Sequence, residues 1–320
     1  MTIDIYWQLD TAAEPARGER SRHRRIASIA REVRTATQGR FDYYAQIAQG
    51  AAQTAFDGLF LPHREEADDS LIVAAALARE VQRLALVAQF PASVGSAVYA
   101  AKQAVSFQRA TGNRLGWAIS PDADIAARAG GADHVREEEL GARAEEFLAV
   151  ARGVHGESPF SFTGRHFEVQ GGGFEVPLNR AAFPQVFFEG HEEDELDLSA
   201  RLADVHLFRD TSFPVLRERI ETLDAAAARH GRTVRFGLIQ EIVARETGEE
   251  ARAEARRANV SQHALVGDYA AVADELAARV ALGISHIILI GSPSLTEVYR
   301  SGQHVLPRLR ARLTETRQAA

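Results

Sequence analysis

The sequence predicts a closed eight-stranded parallel β/α barrel, a (β/α)8 or TIM barrel, and three observations lead there. First, eight short runs rich in β-branched, aromatic and leucine side chains follow one another along the chain: Ile3–Leu9, Gly58–Pro62, Leu84–Phe90, Arg114–Ser120, Gln185–Gly190, Asp204–Phe208, Arg235–Ile242 and His286–Gly291. Second, most of the gaps carry apolar residues at i, i+3, i+4 spacing, the mark of an amphipathic helix. Third, 320 residues suit one barrel of about 250 residues with excursions. Parallel strands need crossovers, and crossovers are right-handed, so repeated strand–helix alternation closes on itself. An open doubly wound sheet is the alternative, disfavoured because no glycine-rich phosphate loop follows the first strand. One domain spanning 1–320 is expected.

The connecting elements justify themselves in order. Tyr44–Ala55, Ser70–Val81, Val98–Arg109 and Tyr269–Leu282 have the helical period. Asp68-Asp69-Ser70 supplies N-capping side chains for the second of these. Two excursions exceed a minimal barrel. The first loop, Asp10–Arg40, holds eight arginines: Arg17, Arg20, Arg22, Arg24, Arg25, Arg31, Arg34 and Arg40. Such a run reads as a solvated face, a dimer contact or an anion site. The second excursion, Pro121–Pro184, separates strands four and five. It carries a helix over roughly Val135–Arg152, then two short extended pieces, Phe160–Thr163 and His166–Val169, joined at Gly164. The glycines 171–173 then mark an irregular loop.

Composition bounds the function. The chain has no cysteine, which excludes disulfides, thiolate metal sites and cysteine nucleophiles. A net charge of −7 gives no basis for binding nucleic acid or an anionic membrane. No run of about 20 apolar residues spans a bilayer, and the N-terminus lacks the pattern of a secretory signal. A cytoplasmic location is the expectation.

Four ordered segments resemble one family, the bacterial-luciferase-like flavin monooxygenases, and within it the alkanesulfonate monooxygenase branch. They are YAQIAQGAAQTAFDGLFLP (44–62), PASVGSAVYAAKQAVSFQRATGNR (91–114), SFTGRHFEV (161–169) and ALVGDYAAVADELAARVALGISHIILIGSPSLTEVYR (264–300). Val266-Gly267-Asp268, read as opening the seventh helix, and Leu282-Gly283-Ile284, before strand eight, are the most specific parts. The resemblance implies a dimeric barrel that receives reduced FMN from a partner flavin reductase, reacts it with oxygen and cleaves a carbon–sulfur bond of a small organosulfonate. It also implies site positions, and many of them are changed here. The family's cysteine aligns with Ala67, its strand-four asparagine with Ala118, and its following His and Tyr with Glu137 and Gly141. The serine pair that holds the FMN phosphate aligns with His191-Glu192. The strand-seven Arg and His align with Ile239 and Glu241, and the last Tyr and His with Ser292 and Ser294. A long lid after strand seven is replaced by Thr247–His263. With Glu193 and Asp194 following His191-Glu192, FMN binding is expected to be weak or altered.

In such a barrel the chemistry sits at the C-terminal strand ends. The candidate catalytic residues are therefore His63, Glu241 and Arg209, and the candidate cofactor-binding residues are Gln8, Gln89, Trp117, Gly190, His191 and Ser292. Glu189 joins them on the rim. Plainer readings stand beside these. His63 also reads as a loop histidine bonded to backbone, and Trp117 as core packing. His191-Glu192-Glu193 lacks a second ligand set at metal spacing, so no metal is expected. An inward carboxylate at Glu241 needs a partner, and Arg209 is the candidate. Two functions remain: a flavin-dependent oxidoreductase in an altered pocket, or a non-catalytic barrel that pairs with an intact paralogue. Dimerisation is expected through Ser70–Val81 and Val98–Arg109, whose alanines permit close helix approach.

Overall fold

The fold was analysed in a computed structural model that describes residues 3–11, 40–64, 67–92, 95–120, 135–258 and 260–319. The arginines from Arg17 to Arg34 lie outside the described residues. The strands are β1 (Asp4–Gln8), β2 (Gly58–Leu61), β3 (Ala85–Pro91), β4 (Leu115–Ser120), β5 (Phe160–Thr163), β6 (Glu168–Gly172), β7 (Gln185–Glu189), β8 (Val205–Arg209), β9 (Arg235–Arg245), β10 (Leu265–Asp268) and β11 (Ile284–Ile290). The helices are α1 (Arg40–Gln53), α2 (Ser70–Glu80), α3 (Ala97–Thr111), α4 (Leu140–Gly156), α5 (Glu193–Leu202), α6 (Phe213–Arg229), α7 (Gly248–Ala258), α8 (Tyr269–Val280), α9 (Leu295–Arg300) and α10 (Leu306–Ala319). The main sheet runs β10-β9-β11-β1-β2-β3-β4-β7-β8, and β8 also pairs with β9, which closes it. This is the (β/α)8 barrel, with β5–β6 as an antiparallel hairpin in the excursion between the fourth and fifth barrel strands.

The chain forms two compact units. The first comprises Met1–Ile3, Ala85–Ile239 and Leu282–Ile287. Its sheet register aligns Gln89 with Ala118 and Ala118 with Phe187. A Cβ added to Gly116 would lie 3.0 Å from Phe187 and from Val87, so these residues share the inner face. Alternation then puts Trp117 on the helix side. There it packs edge-on against Phe90 and Phe183 and tilted against Phe147 of α4. Each such fully buried side chain contributes about 1.5–3 kcal/mol.

The excursion departs from the expected pattern at its hairpin. The second strand begins at Glu168 rather than His166 and runs into the glycine run. The cause is Glu146 on α4, whose carboxylate accepts from the N–H groups of Arg165, His166 and Phe167 at 2.8, 2.7 and 3.1 Å. Those amides turn around an anion and cannot join a ladder.

The second unit comprises Asp4–Leu84, Gln240–Ala281 and Ile288–Ala320. Asp69 caps α2 by accepting from the Ile72 N–H, as its sequence position foretells. Two expectations are corrected here. The seventh barrel strand runs on to Arg245 instead of stopping at Ile242, and Leu265–Asp268 forms a strand paired to its extension rather than opening a helix directly. Asp268 closes that strand and caps α8, accepting from the N–H groups of Ala270 and Ala271. Helices α9 and α10 are joined by a π turn, Ser301–Val305. Among the described residues no helix is long and apolar enough to cross a membrane.

Candidate functional site

In the first unit the C-terminal strand ends build a three-residue chain. Glu189, last in β7, forms an ion pair through its carboxylate with Arg209, last in β8. The same carboxylate accepts from the Gln89 side-chain amide at 3.2 Å. Gln89 is on β3, and β4 lies between it and β7. The intervening residue at its level is Ala118, whose methyl group leaves room for the amide to reach across. Glu189 is 12% exposed and Arg209 48%. The two terminal amino groups of Arg209 take no protein acceptor among the described residues.

The turn after β7 is an amide cradle already occupied from within the chain. Gly190 is buried and His191 half-buried. Glu195 folds back from the first turn of α5, and one of its oxygens accepts from the N–H groups of both His191 and Glu192, at 2.5 and 2.9 Å. A Cβ on Gly190 would sit 2.5 Å from that of Glu195. The side chain therefore lies flat against the glycine. Behind the turn, His206 of β8 is fully buried, with Nδ1 2.7 Å from the Ser199 hydroxyl. Desolvation, helped by the neighbouring His191, pushes its pKa down to about 3, so its ring is neutral.

Trp117 is removed from the site. It is fully buried on the helix side, its indole N–H has no partner among the described residues, and aromatic packing accounts for it. The pairing expected between Glu241 and Arg209 is also corrected. Arg209 is engaged by Glu189, and the Glu241 carboxylate accepts from the Ser261 N–H at 2.8 Å. Glu241 is half-buried within a strand rather than at a strand end. By alternation it shares the face of Gly237 and Ile239. Its neighbour Gln240 is fully buried and donates to the carbonyls of Glu241 and His263.

The remaining candidates lie in the second unit. Gln8 helps line a cavity of 70 Å³ with Trp7, Asp10, Tyr43, Gly291 and Pro293. Tyr43 donates to the Pro293 carbonyl at 3.1 Å. Ser292 is exposed in the same loop, and His63 is half-buried just after β2. Glu195 escaped the sequence reading, although its spacing from Glu192 is that of a capping box. Among the described residues no cluster of three His, Asp or Glu side chains is arranged to hold a metal ion.

Residues 26–275 match the family model described as luciferase-like monooxygenase, and the chain belongs to that family. Solved structures agree on the fold. A riboflavin lyase, RcaE, solved with modified FMN and riboflavin, superposes with a TM-score of 0.82 at 16% identity, covering 98% of this chain and 92% of its own. The long-chain alkane monooxygenase LadA gives 0.80 at 16% identity, over 98% and 92%. EDTA monooxygenase from Chelativorans sp. BNC1 gives 0.79 at 18% identity, over 98% and 94%.

The family implies a flavin, and the site can be tested for its phosphate end. A terminal phosphate needs unspent donors and positive charge. After β7 the two amides are spent on Glu195, and Glu192, Glu193 and Asp194 are exposed beside them. The phosphate end of FMN does not fit this turn.

Proposed function

We propose that this chain is a flavin-dependent oxidoreductase, a monooxygenase that takes reduced flavin from a separate reductase and acts on a small anionic substrate of organosulfonate type. The observation that carries the reading is Arg209. Glu189 holds its guanidinium at a strand end, Gln89 holds Glu189, and the terminal amino groups take no protein acceptor among the described residues. A planar guanidinium with unspent donors matches a sulfonate or carboxylate at two points. A flavin, when bound, supplies the oxygen-transfer chemistry; the protein's share is to orient the substrate and exclude water.

The test is sulfite release from a series of short alkanesulfonates with reduced flavin and a reductase, in the wild type and in Arg209→Ala. Turnover that falls at least tenfold in the variant supports the reading. Absence of sulfite release across the series rejects this substrate class. The second reading, a non-catalytic barrel paired with an intact paralogue, draws support from the filled turn after β7 and from Ala118. Saturable binding of any flavin to the isolated protein argues against it.

As to assembly, we propose a dimer through α2 and α3. Each presents a large apolar side chain to solvent, Ile72 at 64% and Tyr99 at 65% exposure. A monomer by light scattering at micromolar concentration rejects this.

A further inference from the structure

We propose that Glu195 is a specificity-determining residue: it fills the amide cradle after β7 with the chain's own carboxylate, so the protein prefers a flavin without a terminal phosphate, of riboflavin type, over flavin mononucleotide. The inference rests on the reading of the chain as a flavin protein.

Four observations converge. First, Gly190–Glu192 is the turn that leads from a barrel strand into the N-terminus of a ten-residue helix, α5. A helix N-terminus favours an anion through its free N–H groups and dipole, and the family resemblance aligns the phosphate-holding serine pair with His191-Glu192. Second, the two backbone donors of the turn are taken: the N–H groups of His191 and Glu192 both point at one oxygen of Glu195, while the His191 ring nitrogen Nδ1 has no partner among the described residues. Third, the space is taken. The Glu195 side chain occupies the surface that Gly190 leaves open, with its carboxylate oxygen 2.9 Å from where a glycine Cβ would be. Fourth, the surrounding charge has the wrong sign for a phosphate. Glu192, Glu193 and Asp194 stand exposed in and before the first turn, and none has an ion-pair partner among the described residues. Asp197, one turn on, is paired with Arg201 and lies 3.2 Å from His230 Nε2.

The same turn suits a polyol. Carboxylates accept hydrogen bonds, and the terminal hydroxyls of a ribityl chain donate them. A phosphomonoester brings acceptors and negative charge to a place already supplied with both. The discrimination is therefore electrostatic and steric together, and salt should weaken its electrostatic part.

The experiment compares the dissociation constants of riboflavin and FMN, by quenching of flavin fluorescence, in the wild type, Glu195→Ser and Glu195→Gln, at low and high salt. The wild type should bind riboflavin at least tenfold more tightly than FMN, with the ratio shrinking as salt rises. Glu195→Ser empties the cradle and should bring the ratio below about threefold. Glu195→Gln keeps the shape and removes the charge, so its ratio should fall by at least threefold; it also decides the matter if the serine variant fails to fold. Equal or tighter binding of FMN by the wild type overturns the inference and leaves the flavin reading intact. An unchanged ratio in both folded variants overturns it too. If the wild type binds neither flavin, the flavin reading itself fails. That outcome overturns the preference as well, whereas equal binding of both flavins overturns the preference alone.

Discussion

Replacing Arg245 with methionine should destabilise the protein by about 3 kcal/mol, for a reason visible at the end of β9. Arg245 is 8% exposed and Glu297 2%. The guanidinium holds the Glu297 carboxylate at 2.9 Å, pairs with Glu254 through two nitrogens, and donates to the Ala244 carbonyl. Glu297 also pairs with Arg300. Removing one partner of a buried pair costs about 3–5 kcal/mol, because the other charge is stranded. The lower end applies here, since Arg300 remains on Glu297 and Glu254 is about a third exposed. At the 2–4 °C per kcal/mol typical of larger domains, the melting temperature should fall by about 6–12 °C. A thermal melt with urea titration measures this. The pair Arg245→Met and Glu297→Gln, made together, should cost less than the sum of the single changes, because the double variant strands less charge. The network should also respond to acid. The hydrogen bond from Arg245 holds the Glu254 carboxyl below its usual range. A depressed carboxylate contributes stability that is complete above its unfolded pKa and lost as pH falls through the folded one. The gap between wild type and variant should accordingly narrow below pH 4.5. A single variant within 1 kcal/mol of wild type, or strict additivity in the cycle, would refute the reasoning.

Three further outcomes follow from other sites. Ala118→Leu should fill the gap over β4, break the Gln89–Glu189 bond and weaken alkanesulfonate binding, while Ala118→Gly should leave that binding within about threefold; ligand titration of both variants checks it. Glu146→Gln should loosen the β5–β6 hairpin. Burial opposes the Glu146 charge, but the backbone N–H groups of His166, Arg165 and Phe167 outweigh it and hold its pKa down. The stability difference from wild type should therefore be full above pH 4.5 and fade below, as melts across pH 3–7 would show. His206 and His286 are buried with pKa values pushed down by desolvation to about 3 and about 4. Both bind protons on unfolding below pH 6.5, so stability should fall from there toward pH 4, by up to about 1.4 kcal/mol per pH unit for each histidine. A flat unfolding free energy between pH 6 and 4.5 would contradict that.

The barrel was legible because each strand's apolar run and each helix's period point to the same alternation, and strand parity puts Gln89, Glu189, Arg209 and Glu241 on one kind of face. What parity does not decide is which neighbour a long side chain takes. Arg209 stands level with Ile239 on β9, while its neighbour on the other side puts Glu189 level with Leu207. Glu189 is thus two residues behind Arg209, and Glu241 two residues beyond Ile239. Register alone does not fix which carboxylate pairs with Arg209. The choice is made by a segment distant in sequence: the chain returning from α7 brings the Ser261 N–H to Glu241, and that carboxylate is satisfied without a cation. The same logic explains why the extension of β9 was missed, since its partner, β10, is four residues long and reads as the start of a helix until the pairing is seen. It also explains Glu195, whose spacing from Glu192 is a common helix-start signal. Its consequence appears only when Gly190 is seen to leave the space that its side chain fills. Where local pattern suffices the sequence is explicit; where a side chain's partner comes from a segment distant in sequence, the outcome depends on which donor the rest of the fold brings to it.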